Sequence, residues 1–191
     1  MWATSVGTGE GAPSGEPVLL NEIPGDSWRF SGLCDDPRRL KGYCVGHRIT
    51  IDAPPEVVWD FVSDFEGWSG WNPLYSATSG DAREGGAIAF TVVVPDTKPR
   101  LLKARVTAMR EYELLEYACS LVGGLLKVLR FVEVEELSPT RCRVINAEVY
   151  GGILGTLAAR LYHAKTAEGL TAMNEALKRV AERKWRWRPR G

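Results

Sequence analysis

The stretch that decides the fold is residues 151–184, GGILGTLAARLYHAKTAEGLTAMNEALKRVAERK, the longest helical pattern in the chain. At 100° per residue, one face of this helix collects a stripe of mostly apolar side chains. The stripe consists of Ala159, Tyr162, His163, Thr166, Leu170, Met173, Leu177, Val180 and Ala181. His163 and Thr166 place polar atoms on it, a mixture typical of the wall of a ligand cavity. A helix this long needs a broad apolar partner.

The first two turns of this helix are apolar on more than one side. Four residues widen the apolar surface beyond the stripe: Ile153, Leu154, Leu157 and Leu161. We therefore expect this end of the helix to contact something besides the main sheet.

Seven strand-like segments precede the helix, at 43–52, 74–79, 87–94, 101–109, 113–122, 127–137 and 140–150. Most of their connections are too short for crossover helices, so the sheet is expected to be antiparallel. A short helix begins at Pro54-Pro55, because proline is tolerated in a first turn. The sequence predicts an α+β fold. A curved antiparallel sheet of about seven strands wraps around a long C-terminal helix, with an internal cavity between sheet and helix.

The chain divides into three regions. Residues 1–42 form an N-terminal extension whose Gly-, Ser- and Pro-rich start predicts a mobile tail, while its second half is predicted to wrap the main body. Residues 43–184 form the domain of sheet and helix. Residues 185–191 form a basic aromatic tail. Its composition suits weak contact with an anionic membrane surface or with single-stranded nucleic acid, and the alternative is a frayed helix end that stacks Arg on Trp.

The composition narrows the class of protein. Lys plus Arg and Asp plus Glu number 24 each, so no global field favours nucleic acid, and no specific nucleic-acid binding is expected. The four cysteines have no CxxC spacing, which argues against a zinc site. No apolar run approaches the about 20 residues of a transmembrane helix, and the start lacks a signal-peptide pattern. We expect a reduced, cytoplasmic monomer or homodimer.

Two segments resemble a known superfamily. Residues 49–73, ITIDAPPEVVWDFVSDFEGWSGWNP, look like the opening of the polyketide cyclase/dehydrase and START-related lipid-transfer superfamily. EVYGG at 148–152 and GLTAMNEALKRVAE at 169–182 are similar to its last strand and helix. The resemblance implies the helix-grip fold over residues 44–183 and a hydrophobic ligand such as a lipid, sterol, quinone or polyketide. Some similar proteins catalyse cofactor-free cyclisation or dehydration.

Charge decides which way the last two strands face. Glu133, Glu135, Arg141 and Arg143 are expected to point to water. The inward sets are then Arg130, Val132 and Val134 in one strand and Cys142, Val144, Asn146, Glu148 and Tyr150 in the other. A hairpin that turns at 138–140 sets Val134 opposite Val144, which brings Arg130 opposite Glu148.

The predicted Arg130–Glu148 pair has two interpretations. In the structural one, the pair closes one end of the cavity, because a paired guanidinium mostly satisfies its partner. In the functional one, Arg130 binds an anionic oxygen of the ligand, and Glu148 positions Arg130 or acts as a base.

Other inward polar residues are candidate ligand contacts. His163 is a candidate proton donor or acceptor to a ligand carbonyl, although a lone His on an apolar face is more often hydrogen-bonded core. The candidate catalytic residues are thus Arg130, Glu148 and His163, and the candidate ligand contacts are His47, Tyr117, Asn146, Tyr150, Tyr162 and Thr166. No phosphate loop, metal cluster or Ser-His-Asp order is visible, so neither a cofactor nor a metal is implied.

Two functions fit these features. One is a cofactor-independent cyclase, dehydratase or isomerase of a polyketide-like or aromatic substrate in natural-product biosynthesis. The other is a non-catalytic carrier or sensor of a lipid or hydrophobic metabolite. Binding of a protein client on the outer face would need an unusual exposed apolar patch, and none is expected.

Overall fold

In a computed structural model of this protein, we describe residues 27–34, 40–93 and 98–187. The strands in these ranges are β1 Ser27–Cys34, β2 Gly42–Ile51, β3 Tyr75–Gly80, β4 Ala87–Val92, β5 Arg100–Arg110, β6 Leu114–Leu121, β7 Leu126–Ser138 and β8 Arg141–Gly151. Within the described part of the chain they form one antiparallel sheet in the order β1-β2-β8-β7-β6-β5-β4-β3.

Two α-helices pack with this sheet. The short helix α1, Pro55–Ser63, has Pro54 as its N-cap and Pro55 in its first turn, where a missing backbone N–H costs nothing. The long helix α2, Gly155–Arg186, has 32 residues. Two 3₁₀ turns cover Glu66–Gly70 and Val122–Gly124. The predicted α+β architecture, a curved antiparallel sheet around a long C-terminal helix, is confirmed.

The predicted N-terminal extension supplies a strand that the sequence pattern does not reveal. The seven predicted strands correspond to β2 through β8, and β1 adds an eighth by pairing with β2, from Ser27 opposite Ile49 to Cys34 opposite Gly42. The mobile tail predicted at the start of the chain lies outside the described residues. At the other end, α2 runs through Arg186, so the first two residues of the predicted 185–191 tail are helical.

The main core lies between the sheet and the two helices. Ile51, Val57, Leu115, Met173 and Leu177 are all fully buried there. The opposite face of the sheet carries a second buried cluster, made of Cys44, Leu114, Leu129, Phe131, Ala147 and Val149, with Leu40 packed against it. The central strands therefore carry buried apolar side chains on both faces.

Three tryptophans lie on α1 or in the segment that follows it. The sequence predicts that Trp59, on α1, and Trp71, at its exit, are structural. Trp59 is buried, and Trp71 is half-buried with its ring 6.4 Å from that of Phe61. The most deeply buried of the three is Trp68, which that prediction does not include and which has no exposed surface.

Candidate ligand-binding site

A cavity of about 800 Å³ lies between the sheet and the first half of α2. Its inner end is lined by buried side chains, among them Tyr75, Phe90 and Tyr117. Its mouth is lined by the exposed side chains of Leu157 and Leu161. The volume suits a small apolar molecule, since ligand pockets commonly measure about 300–1,000 Å³.

Arg130 and Glu148 face each other across β7 and β8 inside this cavity. The two residues are directly opposite in the strand register, as are Val134 and Val144, so the predicted register is confirmed. Arg130 Nη1 lies 3.7 Å from Glu148 Oε2, which is longer than a hydrogen bond. Both side chains line the cavity, and Arg130 is the more deeply buried of the two. The pair is an ion pair that leaves hydrogen-bonding capacity open.

The guanidinium of Arg130 has weak partners for a buried charge. Its Nη2 lies 3.1 Å from the sulfur of Met173, a poor acceptor, and its Cζ lies 5.5 Å from the ring centroid of Tyr75. Its Nε–H has no hydrogen-bond partner among the described residues. Burial alone lowers the pKa of Arg130, but the phenols of Tyr75 and Tyr117 and the carboxylate of Glu148 raise it by more. The side chain therefore stays charged.

Two pairs of hydroxyl groups extend the polar end of the cavity. The hydroxyls of Tyr75 and Tyr117 are 3.0 Å apart, and that of Tyr150 is 2.6 Å from Thr166 Oγ1. Burial raises the pKa of Tyr117 well above its ordinary value, and burial together with the charge of Glu148 raises that of Tyr150. All of these phenols are neutral donors near pH 7. Tyr117, Tyr150 and Thr166 line the cavity as predicted, and Tyr162 lies at its exposed mouth.

Residues 44–182 match the model of the family described as "Polyketide cyclase / dehydrase and lipid transport". The chain belongs to this family. The resemblance found in the sequence is thereby confirmed, because the match covers well over half of the chain. No curated protein sequence matches this chain.

Three solved structures show the same fold at low sequence identity. The Zhui aromatase/cyclase from a Streptomyces species is 15% identical over 74% of this chain and 94% of that chain, with a TM-score of 0.62. A START superfamily protein from Mycobacterium smegmatis is 17% identical over 75% and 99%, with a TM-score of 0.62. Norcoclaurine synthase from Thalictrum flavum is 13% identical over 74% and 94%, with a TM-score of 0.58.

Two residues that line the cavity of this protein were not among the candidates chosen from the sequence. Tyr75 sits just after the aromatic turn, where the pattern predicts only a strand. Cys119, an ordinary buried thiol by its sequence context, also lines the cavity. Burial and the charge of Glu148 raise the pKa of Cys119 to about 11, so it remains a thiol near neutral pH. The alternation of side chains along a strand could have identified Cys119, because Cys119 lies two residues after Tyr117 and so shares its inward face.

His47 and Asn146 point inward as predicted, but they belong to the packed core. Neither lines the cavity. The side-chain amide of Asn174 donates to Nδ1 of His47 at 3.0 Å and to its backbone carbonyl at 2.9 Å. Asn146 in turn donates to Asn174 Oδ1 at 3.2 Å. The prediction that His47 and Asn146 contact the ligand is therefore not supported, because α2 covers them.

His163 does not point into the cavity, so the orientation predicted from the helical stripe is wrong. All residues from 160 to 165 are exposed, and His163 Nδ1 lies 3.3 Å from the backbone oxygen of Arg160. The first turns of α2 border the open mouth, where this side of the helix faces solvent. His163 is accordingly left out of the site.

Two further features bear on possible partners. Among the described residues, no group of three His, Cys, Asp or Glu side chains is arranged to hold a metal ion. No helix in the described ranges is both long and apolar enough to cross a membrane.

The stability of the protein is expected to fall between about pH 6.5 and pH 4 because of His47. Burial, and then the charge of Arg29, lower the pKa of His47 from 6.5 to about 4. In this window the unfolded chain binds a proton that the folded chain does not, so stability is full above pH 6.5 and is lost as the pH falls. The difference amounts to about 3 kcal/mol.

Urea unfolding of the native chain and of His47→Gln at several pH values measures this effect. His47→Gln has no titrating group at position 47. The carboxylates that titrate in the same pH range are present in both proteins, so their contribution to stability cancels when the two profiles are compared. Parallel stability profiles for the two proteins would show that His47 does not carry the effect.

Proposed function

We propose that this protein binds a hydrophobic small molecule with a carbonyl or anionic oxygen and promotes its cofactor-independent cyclisation, dehydration or isomerisation. The observation that carries the proposal is Arg130, a buried charge at the inner end of an apolar cavity. Among the described residues, its polar contacts are a carboxylate at 3.7 Å and a thioether sulfur at 3.1 Å. Buried donors are nearly always satisfied in native proteins, so the unused donors of Arg130 call for a ligand oxygen.

The walls of the cavity indicate the rest of the ligand. Apart from Arg130 and Glu148, the lining residues are mainly aliphatic and aromatic, with Leu102, Leu121 and Val128 among them. An apolar or aromatic body fits these walls, and an oxygen at one end reaches Arg130. Polyketide-like chains and lipids both have this composition.

The polar groups suit chemistry next to a carbonyl. In the proposed reaction, Glu148 takes a proton from the carbon beside a ligand carbonyl, and Arg130 and the phenol of Tyr117 stabilise the resulting enolate oxygen. The enolate carbon then forms a bond to a second carbonyl carbon of the ligand, whose oxygen takes up the proton from Glu148 and becomes a hydroxyl group. Removal of a second proton from the attacking carbon, which leaves with this hydroxyl as water, completes a dehydration. Where no new bond forms, return of the first proton to a different carbon of the enolate completes an isomerisation.

A carrier function is the second candidate, and the ion pair between Arg130 and Glu148 favours it. Arg130 Nη1 lies 3.7 Å from Glu148 Oε2, and an opposite charge at this distance makes a carboxylate a weaker base. A carboxylate paired in this way can orient a ligand without removing a proton. The two candidates share the cavity and differ only in whether Glu148 reacts.

A matched pair of fluorescent probes tests the binding site. We expect the anionic probe anilinonaphthalene sulfonate to bind about tenfold or more tightly than the neutral phenylnaphthylamine, because a hydrogen bond to a charged group contributes about 1.5–3 kcal/mol. Arg130→Met should abolish this preference and retain binding of the neutral probe. Arg110→Met changes an exposed arginine outside the cavity and should keep the preference. Equal binding of both probes by native protein would contradict the proposed role of Arg130.

A further inference from the structure

Five aliphatic side chains around the mouth of the cavity are exposed to solvent. We call this set the apolar rim, and it consists of Val122, Leu125, Ile153, Leu157 and Leu161, which expose from 44% to 84% of their surface. Large exposed apolar patches mark interaction sites. The expectation that the outer surface carries no unusual apolar patch is therefore wrong.

The apolar rim is one continuous surface, because a backbone hydrogen bond joins its two segments, 122–125 and 153–161. The backbone N–H of Leu154 donates to the carbonyl of Leu125 at 3.0 Å. Gly152, at a φ of 80°, packs so closely that a Cβ there would lie 2.6 Å from the same carbonyl oxygen. Leu157 and Leu161 follow at a spacing of four residues, which places them on one side of α2.

The segments that form the apolar rim carry only positive charge. Residues 117–132 and 149–167 contain no Asp or Glu. Lys127 and Arg160 lie within them and are exposed, and Arg100 lines the cavity from β5. The whole chain has equal numbers of acidic and basic residues, so this is a local concentration of positive charge.

We propose that the apolar rim binds the surface of a lipid bilayer that contains anionic phospholipids. Aliphatic side chains that insert below the headgroups, bordered by Lys and Arg at headgroup level, are the pattern of interfacial membrane binding. A protein partner is disfavoured by composition, because protein interfaces are enriched in Tyr, Trp, Met and Arg and rarely depend on Leu or Val.

Membrane binding at the apolar rim fixes the orientation of the molecule. The cavity mouth then faces the bilayer, and an apolar ligand passes between bilayer and cavity without crossing water. Residues 185–187, the described part of the basic tail, lie at the C-terminal end of α2, whose 32 residues span about 48 Å. The proposed contact through the rim is therefore distinct from the weak contact through the tail that the sequence suggested.

Co-sedimentation of the full chain with vesicles tests this proposal. We expect binding to vesicles of phosphatidylcholine with phosphatidylserine and much weaker binding to phosphatidylcholine alone. Leu157→Ser/Leu161→Ser should lower the partition coefficient by about tenfold or more, from the area of the two side chains that no longer insert. Arg160→Glu should lower it by about fivefold or more on anionic vesicles only.

Two controls make the result specific. Leu137→Ser changes an exposed leucine at the opposite end of β7 and should bind as the native chain does. Arg130→Met should also keep vesicle binding, because Arg130 lies at the inner end of the cavity, so failure of the proposed function and failure of this proposal are distinguishable.

Four outcomes would overturn the proposal. The first is no binding to either kind of vesicle. The second is equal binding by the native chain and the double serine variant, with loss of binding at high salt, which would indicate a purely electrostatic contact suited to an acidic protein. The third is loss of binding in Trp187→Ser alone, which would assign it to the tail. The fourth is a dimer that the serine variant dissociates, which would assign the rim to a second copy.

Discussion

Replacing Arg130 with methionine is expected to slow proton exchange on a bound long-chain β-diketone by about 10²-fold or more, because the enolate oxygen loses its charged donor. The exchange is measured by NMR in deuterated water, as loss of the signal of the protons between the two carbonyls. Glu148→Gln should cause a loss of similar size, since the base itself is removed. A carrier would bind the diketone without accelerating its exchange, so the native protein alone separates the two candidate functions.

The double variant Arg130→Met/Glu148→Gln separates catalysis from stability. Each single change is expected to cost about 2–3 kcal/mol, below the about 3–5 kcal/mol of a fully buried pair, because Glu148 is partly exposed. The double change removes their interaction only once and should recover part of that loss. It should not recover exchange. Recovery of near-native exchange in the double variant would show that the pair is structural.

Replacing Trp68 with alanine is expected to lower the free energy of unfolding by about 3–5 kcal/mol. The indole has no exposed surface, stacks on Tyr75 with ring centroids 5.8 Å apart, and donates from Nε1 to the carbonyl of Val62 at 3.2 Å. The change therefore leaves a large cavity and an unpaired carbonyl. Because Tyr75 also packs against Arg130, we expect weaker binding of the anionic probe in the same variant.

Chemical denaturation of three tryptophan variants measures this effect. Trp68→Ala and Trp59→Ala should unfold at much lower denaturant concentration, since both rings are buried. Trp187→Ala serves as the control, because Trp187 is 83% exposed and substitutions at such surface positions cost within about 0.5 kcal/mol. If Trp68→Ala and the control unfold together, the packing described around α1 is incorrect.

The sequence by itself determined strands β2 to β8 and the register of the polar pair. Glu133, Glu135, Arg141 and Arg143 cannot all be buried, and the side-chain period of a strand is two, so a slip of one residue would turn every charge inward. That constraint, together with a hairpin turn at 138–140, sets Arg130 opposite Glu148, and the pairing of β7 with β8 agrees. The sequence also indicated the family, through short segments at 49–73, 148–152 and 169–182.

The helical stripe is less informative, because periodicity shows a direction but not what lies in that direction. His163 shares the stripe with Leu170 and Leu177, yet it is exposed near the cavity mouth while they are buried. Asn174, as a polar residue, is not part of the stripe. It is nevertheless fully buried, because its amide matches the ring nitrogen and the carbonyl of His47.

Only the tertiary structure decided the polar end of the cavity and its mouth. Tyr75 on β3 reaches Tyr117 on β6 although two strands lie between them in the sheet. Such a contact depends on the curvature of the whole sheet, which accumulates from the twist between successive strands. The apolar rim likewise joins residues 122–125 to residues 153–161 through one backbone hydrogen bond. Local sequence patterns do not contain these contacts, because both depend on where the whole chain places distant segments.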